Sequence, residues 1–352
     1  MKTQMIVKLF VCVALVAASV AQAQTILFEE NFDADATADF NVVIATDLGT
    51  DAVGPTTVVD LNSYDYSTAT TNFTTPTYTI PEAPNSGGGD AAQRGAFLQV
   101  NNDGTSPAIG SIAIYPNIAA ITGPYTMTFD FWYLLNFGGS TEYIGAGVQH
   151  AGDKALYRFS DDETVTSFTT TVSISDGYFF QYTSDGGSSI DISFLEGEDT
   201  EGVFDQSFAA DGSAGFEWGP LLDLVGDNNG TLNMPGTSVG NYFANDIEDY
   251  HINSGNFGLL RSGEADGPNE AWVTMRISHD AGLTRVEQDI YDGNGFITIC
   301  TYDDPDNTWT SGVPSIILED AFGSTNPFGA LIIDNIVVTD EAIANVDSWE
   351  KY

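Results

Sequence analysis

Apolar and polar residues alternate with a period of two along many short runs of the chain. In Tyr125–Leu135, Met127, Phe129, Phe131 and Tyr133 share one face, while Thr126, Thr128, Asp130 and Trp132 share the other. In Trp272–Ser278, Val273, Met275 and Ile277 oppose Trp272, Thr274, Arg276 and Ser278. Successive side chains of a strand point to opposite sides, so this spacing predicts antiparallel strands with one buried and one wetter face. Further strand candidates are Ala96–Val100, Ser111–Tyr115, Glu142–Gln149, Tyr178–Thr183, Ile190–Leu195, Arg285–Tyr291, Phe296–Cys300 and Leu331–Thr339. Gly, Asn, Asp and Pro separate them, and Asp292-Gly293-Asn294-Gly295 carries residues that accept the positive φ of a hairpin turn.

No helical period is interleaved with these runs. The expectation is an all-β, antiparallel two-sheet β-sandwich or jelly roll. Residues 24–340 read as a single domain with long loop-rich insertions near 47–90 and 196–254, followed by a tail at 341–352. A separate small domain at 196–254 is the alternative, although its apolar content is thin.

The first residues change the picture of where the chain works. Lys2 and Lys8 supply a positive start, Ile6 to Val20 form an apolar run broken only by Lys8 and Ser19, and Ala21-Gln22-Ala23 supplies a small-x-small cleavage site. This is the pattern of a signal peptide over residues 1–23, and it predicts a secreted protein, extracellular or held at the cell surface. No later apolar stretch is long enough to span a bilayer, so membrane insertion is not expected. Removing residues 1–23 takes away two lysines and no acid, which leaves 7 basic and 50 acidic side chains and a net charge of −43. So few cations cannot neutralise a phosphate backbone, and nucleic acid is excluded as a partner. Cys300 is then the lone cysteine and has no internal partner; its apolar run points to an inert buried thiol.

Ile26-Leu27-Phe28-Glu29-Glu30-Asn31-Phe32-Asp33 near the mature N-terminus and Ala330–Val338 near the end resemble the opening and closing strands of the concanavalin A-like lectin/glucanase superfamily, in particular bacterial secreted laminin-G-like jelly rolls. Trp272–Asp292 resembles its consecutive strands ending in an Asp-Gly hairpin. The resemblance implies a jelly roll whose first and last strands lie together, with a structural calcium held by an aspartate of the closing strand. Asp334 is that residue here. Period two along Leu331–Val338 puts it on one side with Ile332, Ile336 and Val338, where a buried carboxylate needs hydrogen bonds or a cation. Glu30 and Asp33 are the nearest oxygen donors on the opening segment. The alternative for Asp334 is a carboxylate that accepts from backbone amides. The Glu-x-Asp-x-Glu alternation of the family's glucanases is missing, so that activity does not carry over.

Other motifs are weak. Gly236-Thr237-Ser238-Val239-Gly240 has the spacing of a nucleophile elbow but lacks the strand-to-helix setting. His150, His251 and His279 have no metal-ligand spacing. Asp33–Ile44 begins like a calcium-binding loop but has Ala38 and Ile44 where glycine and glutamate are needed. Trp218, Trp309 and Tyr242 lie in polar, loop-like surroundings, where an exposed ring could stack on the C–H face of a sugar; the alternative for the two tryptophans is that they cap the core edges. The functional expectation is a non-catalytic module that binds a polysaccharide or cell-surface glycan, with structural calcium. A matrix protein organised by divalent cations and a polysaccharide-active hydrolase or lyase are the alternatives.

Overall fold

The computed structural model describes residues 24–46, 57–69, 80–86, 93–100, 110–135, 142–154, 176–182, 192–196, 216–218, 272–289, 291, 295–304, 306, 308–320 and 329–343. Within them run β1 (Ile26–Glu30), β2 (Phe40–Thr46), β3 (Val58–Asp65), β4 (Arg94–Val100), β5 (Gly110–Pro116), β6 (Tyr125–Leu135), β7 (Glu142–His150) and β8 (Tyr178–Tyr182). These are followed by β9 (Ile192–Glu196), β10 (Phe216–Trp218), β11 (Trp272–Asp280), β12 (Leu283–Asp289), β13 (Ile297–Asp303), β14 (Val313–Asp320) and β15 (Gly329–Thr339). Two 3-10 turns, Thr37–Asp39 and Tyr66–Thr68, complete the described regular structure. The signal-peptide segment, Tyr242, His251 and the 236–240 motif lie outside the described residues, as do most of both insertions and of the tail.

The strands form an antiparallel two-sheet β-sandwich. A nine-stranded sheet runs β10-β13-β12-β11-β6-β15-β4-β3, with β1 also on β15, and a six-stranded sheet runs β2-β5-β14-β7-β8-β9. The alternation seen in the sequence sets the inner face. Met127, Phe129, Phe131, Val273, Met275 and Ile277 of the larger sheet join Ile112, Ile114, Ile144 and Ile316 of the smaller in one buried core.

β15 organises the larger sheet. Along one edge it pairs with β6 for nearly its whole length. The other edge is divided: β4 takes Gly329–Ile333 and β1 takes Ile336–Thr339. The chain termini of the fold meet there, with Thr25 N–H donating to Asp340 Oδ1 at 2.6 Å and Asp340 N–H to Thr25 O at 3.1 Å. Where the edge changes partners, the register against β6 slips between Asp334 and Val337 and Asn335 takes φ 52°. This is a β-bulge. It corrects the expectation that Asp334 shares a side with Ile336 and Val338. Those two point into the core, whereas Ile332, before the slip, joins a second cluster with Trp132, Trp272 and Tyr66 on the outer face. A one-residue slip moves every later side chain to the other face.

The wetter outer face expected of the strands is absent from much of the smaller sheet. Tyr115, Phe179, Gln181, Ser315 and Ile317 alternate with core residues and are themselves almost fully buried. β14 therefore carries the contiguous run Ser315-Ile316-Ile317-Leu318 and shows no alternation, which is why it is missing from the strands read by period. Of the hairpin turn read at residues 292–295, residues 292–294 lie outside the described residues and Gly295 has φ 74°. Ala281 and Gly282, at φ 50° and 95°, join β11 to β12 with two residues, as a hairpin turn with positive φ at both positions requires.

Gly147 on β7 lies opposite Ser315, and the His150 ring folds back over it. A methyl at Gly147 would run into His150 Nε2 and lie 2.6 Å from Ser315 Oγ. Gly147→Ala is expected to lower stability by the roughly 1–3 kcal/mol of an overpacked core, read from urea melts. Gly123→Ala, where a methyl meets nothing within 4 Å, is expected to change it by no more than about 0.5 kcal/mol.

Candidate functional site

The divided edge of β15 places polar residues where two aromatic strands would otherwise bury only hydrocarbon. Asp334 and Asp130 are register partners on β15 and β6 and are both fully buried on the outer face. The segment from Ile80 to Ser86 straps over them. Its apolar part covers Trp132, Trp272 and Tyr66, and Trp272 Nε1 donates to Pro81 O at 2.8 Å. Its polar end reaches the acids. Asn85 donates to Asp130 from its backbone N–H at 3.1 Å and from Nδ2 at 2.7 Å. Asn335 Nδ2, turned inward by the bulge, donates to Asp130 Oδ2 at 2.9 Å, and the Thr274 hydroxyl donates to Oδ1. Tyr291 OH hydrogen-bonds to Thr274 in turn.

Asp334 has its own donors: Tyr66 OH at 3.0 Å, Ser86 Oγ at 3.3 Å and Asn335 N–H at 2.8 Å. Burial pushes the Asp130 carboxyl above the usual carboxylate range, with Thr274, Asn335 and Asn85 opposing that shift. It pushes Asp334 further, to about 8; the hydrogen bonds from Tyr66 and Asn335 oppose the shift and the neighbouring charge of Asp130 adds to it. Burial and the neighbouring acid thus favour the protonated form of Asp334, since two close buried carboxylates resist ionising together.

Beside this pair the outer face opens into a groove of about 330 Å³, at the small end of the ~300–1,000 Å³ usual for ligand pockets. Asn85 and Asn335 belong to both the network and the groove; Thr128 and Thr274 also line it. Glu29, Glu30 and Asn31 form one wall, and Asp289, Tyr291 and Phe296 another. Glu30 accepts from Phe32 N–H at 2.6 Å and is held above its usual pKa by burial. Asp289 accepts from Tyr291 N–H at 2.7 Å. The Arg276 guanidinium lies 4.0 Å from the Phe296 ring centre and pairs with Glu287 at 2.8 Å, so it supports the wall from behind.

The expected metal set is not assembled. Glu30 lines the groove, Asp33 is exposed and bonded to Asn31 Nδ2 at 2.8 Å, and Asp334 is sealed beneath the strap. Among the described residues no group of three or more His, Cys, Asp or Glu side chains could hold a metal ion. Three donors aim hydrogens at the Asp334 carboxyl where a cation would need lone pairs, so these residues do not fit calcium. The alternative, a carboxyl accepting from a backbone amide, is what Asn335 N–H provides.

Of the expected sugar platforms, Trp309 is partly buried, packs against the main core and has its indole nitrogen buried without a hydrogen-bond partner. Trp218 ends β10 opposite Cys300. Cys300 is fully buried, which pushes its thiol well above the usual value. His150 and His279 are buried in strands.

The residues that reading by motif passed over are Asp130, Asn85, Asn335, Tyr291 and Phe296. The available signal was Asp130 itself, an acid on the outward side of a strand otherwise rich in aromatics.

No protein-family model and no curated protein matches the chain. Solved structures similar to it include the Emp47p carbohydrate recognition domain, with 11% identity over 70% of this chain and 83% of that one and a TM-score of 0.36. The Ca2+-bound exoplasmic/lumenal domain of VIP36 has 11% identity, 71% and 81% coverage and a TM-score of 0.32. The carbohydrate-binding module CBM66 from Bacillus subtilis has 8% identity, 69% and 94% coverage and a TM-score of 0.29. At these identities none of them assigns a residue of this chain to a ligand.

The pair has a pH signature. A carboxyl whose folded pKa is raised adds stability in full below its ordinary value near ~4, and that stability is lost as pH rises through about 8. Asp334→Asn keeps the shape and removes the titration. In thermal melts from pH 5 to pH 9, the melting temperature of the variant relative to the unmodified chain is expected to rise with pH and level off above pH 8. A pH-independent difference would place the proton elsewhere.

Proposed function

We propose that the chain is an exported, non-catalytic β-sandwich that binds a glycan or cell-surface polymer in the groove beside the β15 bulge. One observation carries this reading. The side-chain amides of Asn31, Asn85 and Asn335 and the hydroxyl of Thr128 stand in one small groove with the rings of Tyr291 and Phe296. Sugar rings need both elements, because their C–H faces are apolar and their rims carry hydroxyls. The carboxylates Glu29, Glu30 and Asp289 accept hydrogen bonds from hydroxyls, and no Lys, Arg or His is among the described lining residues. Neutral or amine-bearing sugars suit that lining, and uronate or sulfated polymers are repelled by it and by the net charge. The buried Asp130–Asp334 pair holds Asn85 and Asn335 in place and is closed off by the strap, which favours a binding role over acid–base catalysis. The signal-peptide pattern at residues 1–23 supports export.

Affinity electrophoresis against a panel of neutral, cationic and anionic polysaccharides tests the proposal. Retardation is expected in one or more neutral or cationic gels. Phe296→Ala and Asn31→Ala are each expected to weaken it about tenfold or more, the effect of roughly 1.4 kcal/mol, while the melting temperature changes little for Asn31→Ala. Repeating the panel with a chelator tests the calcium expectation, and binding is expected to persist. Equal retardation of both variants and the unmodified chain would remove the groove from the reading, and product release from any polysaccharide would replace binding with catalysis.

A further inference from the structure

On the opposite sheet, the end of β7 and the start of β8 bring together a different set of groups. Lys154 Nζ lies 3.7 Å from Asp176 Oδ2, with side chains 18% and 4% exposed. Ala151 N–H donates to the same oxygen at 2.8 Å. His150 Nδ1 contacts the other oxygen, Oδ1, at 3.2 Å, and its Nε2 is buried with no partner. The group sits at the border of the apolar cluster of Tyr115, Phe179 and Val313: the Tyr115 ring packs edge-on against His150 at 6.0 Å, and its hydroxyl donates to Lys154 O at 2.5 Å.

We infer that Lys154 and Asp176 are a site of intramolecular amide formation, an isopeptide cross-link that ties the chain after β7 to the chain before β8. The chemistry balances without an oxidant or co-reactant. Nζ attacks Cγ of Asp176, the Cγ–Oδ1 bond breaks as the Cγ–Nζ bond forms, and two protons pass from the ammonium to Oδ1, which leaves as water. An ion pair becomes a neutral amide, so no net proton is taken up or released. Each neighbour has a place in that step. Ala151 N–H holds Oδ2, where negative charge collects in the tetrahedral intermediate. His150 Nδ1 stands at the departing oxygen and can pass protons to it. Tyr115 fixes the backbone of Lys154, which keeps the nucleophile at short range.

Electrostatics assemble the reactants. Burial works to raise the Asp176 carboxyl, but the hydrogen bond and charge of His150, the Ala151 amide and the charge of Lys154 outweigh it and hold the group below the usual range. The composition adds a reason for such a bond. After residue 23 the chain has one cysteine and cannot form an internal disulfide. Joining residues 154 and 176 would restrict the unfolded chain as a disulfide does.

Mass spectrometry of the purified full chain decides the question. The intact mass is expected to fall short of the sequence mass by one water, and a proteolytic map is expected to contain a branched peptide joining Lys154 to Asp176. Lys154→Arg, which keeps the charge and cannot condense, should restore the full mass and lower the melting temperature. His150→Gln should slow the appearance of the branched peptide in freshly folded protein. Loss of water without the branched peptide would locate the change elsewhere and overturn the inference. So would a full intact mass that persists after prolonged incubation of the unmodified chain, with trypsin cutting freely after Lys154.

Discussion

The larger sheet depends on how β15 shares one of its edges. Two shorter strands, β4 and β1, pair with it in succession, and the two residues between them, Asp334 and Asn335, are left without a ladder partner on that side. A strand interrupted in this way must satisfy its polar groups locally or leave them buried and unpaired, at a cost of a few kcal/mol each. The bulge at Asn335 turns an amide toward Asp130, and the strap supplies Asn85, Ser86 and, through Tyr66, a phenol. The carboxylate pair, the strap and the groove are thus one solution to a single gap in hydrogen bonding.

That dependence also explains why the site has its chemical character. Asp130 spends its acceptor capacity on Asn85, Asn335 and Thr274, so these side chains are held in fixed rotamers with their remaining surfaces turned to the groove. Tyr291, at φ 60°, is drawn to Thr274 by its hydroxyl. A groove supported from beneath in this way would need little ordering to take the proposed ligand, which reduces one of the main costs of binding.

Much of the fold was legible because strand period is a local property. Tyr125–Leu135 and Trp272–Ser278 have the faces their alternation implied, and Ile26–Glu30 does pair with the closing strand. The site was less legible because it depends on a register slip that no period can show. Continuing the alternation through Asn335 put Asp334 beside Ile336 and suggested a lone buried acid in need of a cation. The slip instead faces it toward Asp130, 204 positions earlier in the chain, and toward donors from residues 66 and 86. β14 was missed for a related reason: a strand buried on both sides has no alternation to read. The polar neighbours of Trp309 left both an exposed ring and a core-edge cap open, and three dimensions bring it against the core.

The pairing of β1 with β15 makes completion of the groove a late event. Contacts at this seam join residues 315 positions apart, about as non-local as the chain permits, and closing such loops slows folding. During synthesis the wall that carries Glu29, Glu30 and Asn31 is made long before β15 and keeps an unpaired strand edge until β15 follows. A chain interrupted between β14 and β15 has every strand of the smaller sheet but leaves β1, β4 and β6 unjoined. Completion of the groove is therefore coupled to synthesis of the chain through β15, so that copies truncated before it lack the seam.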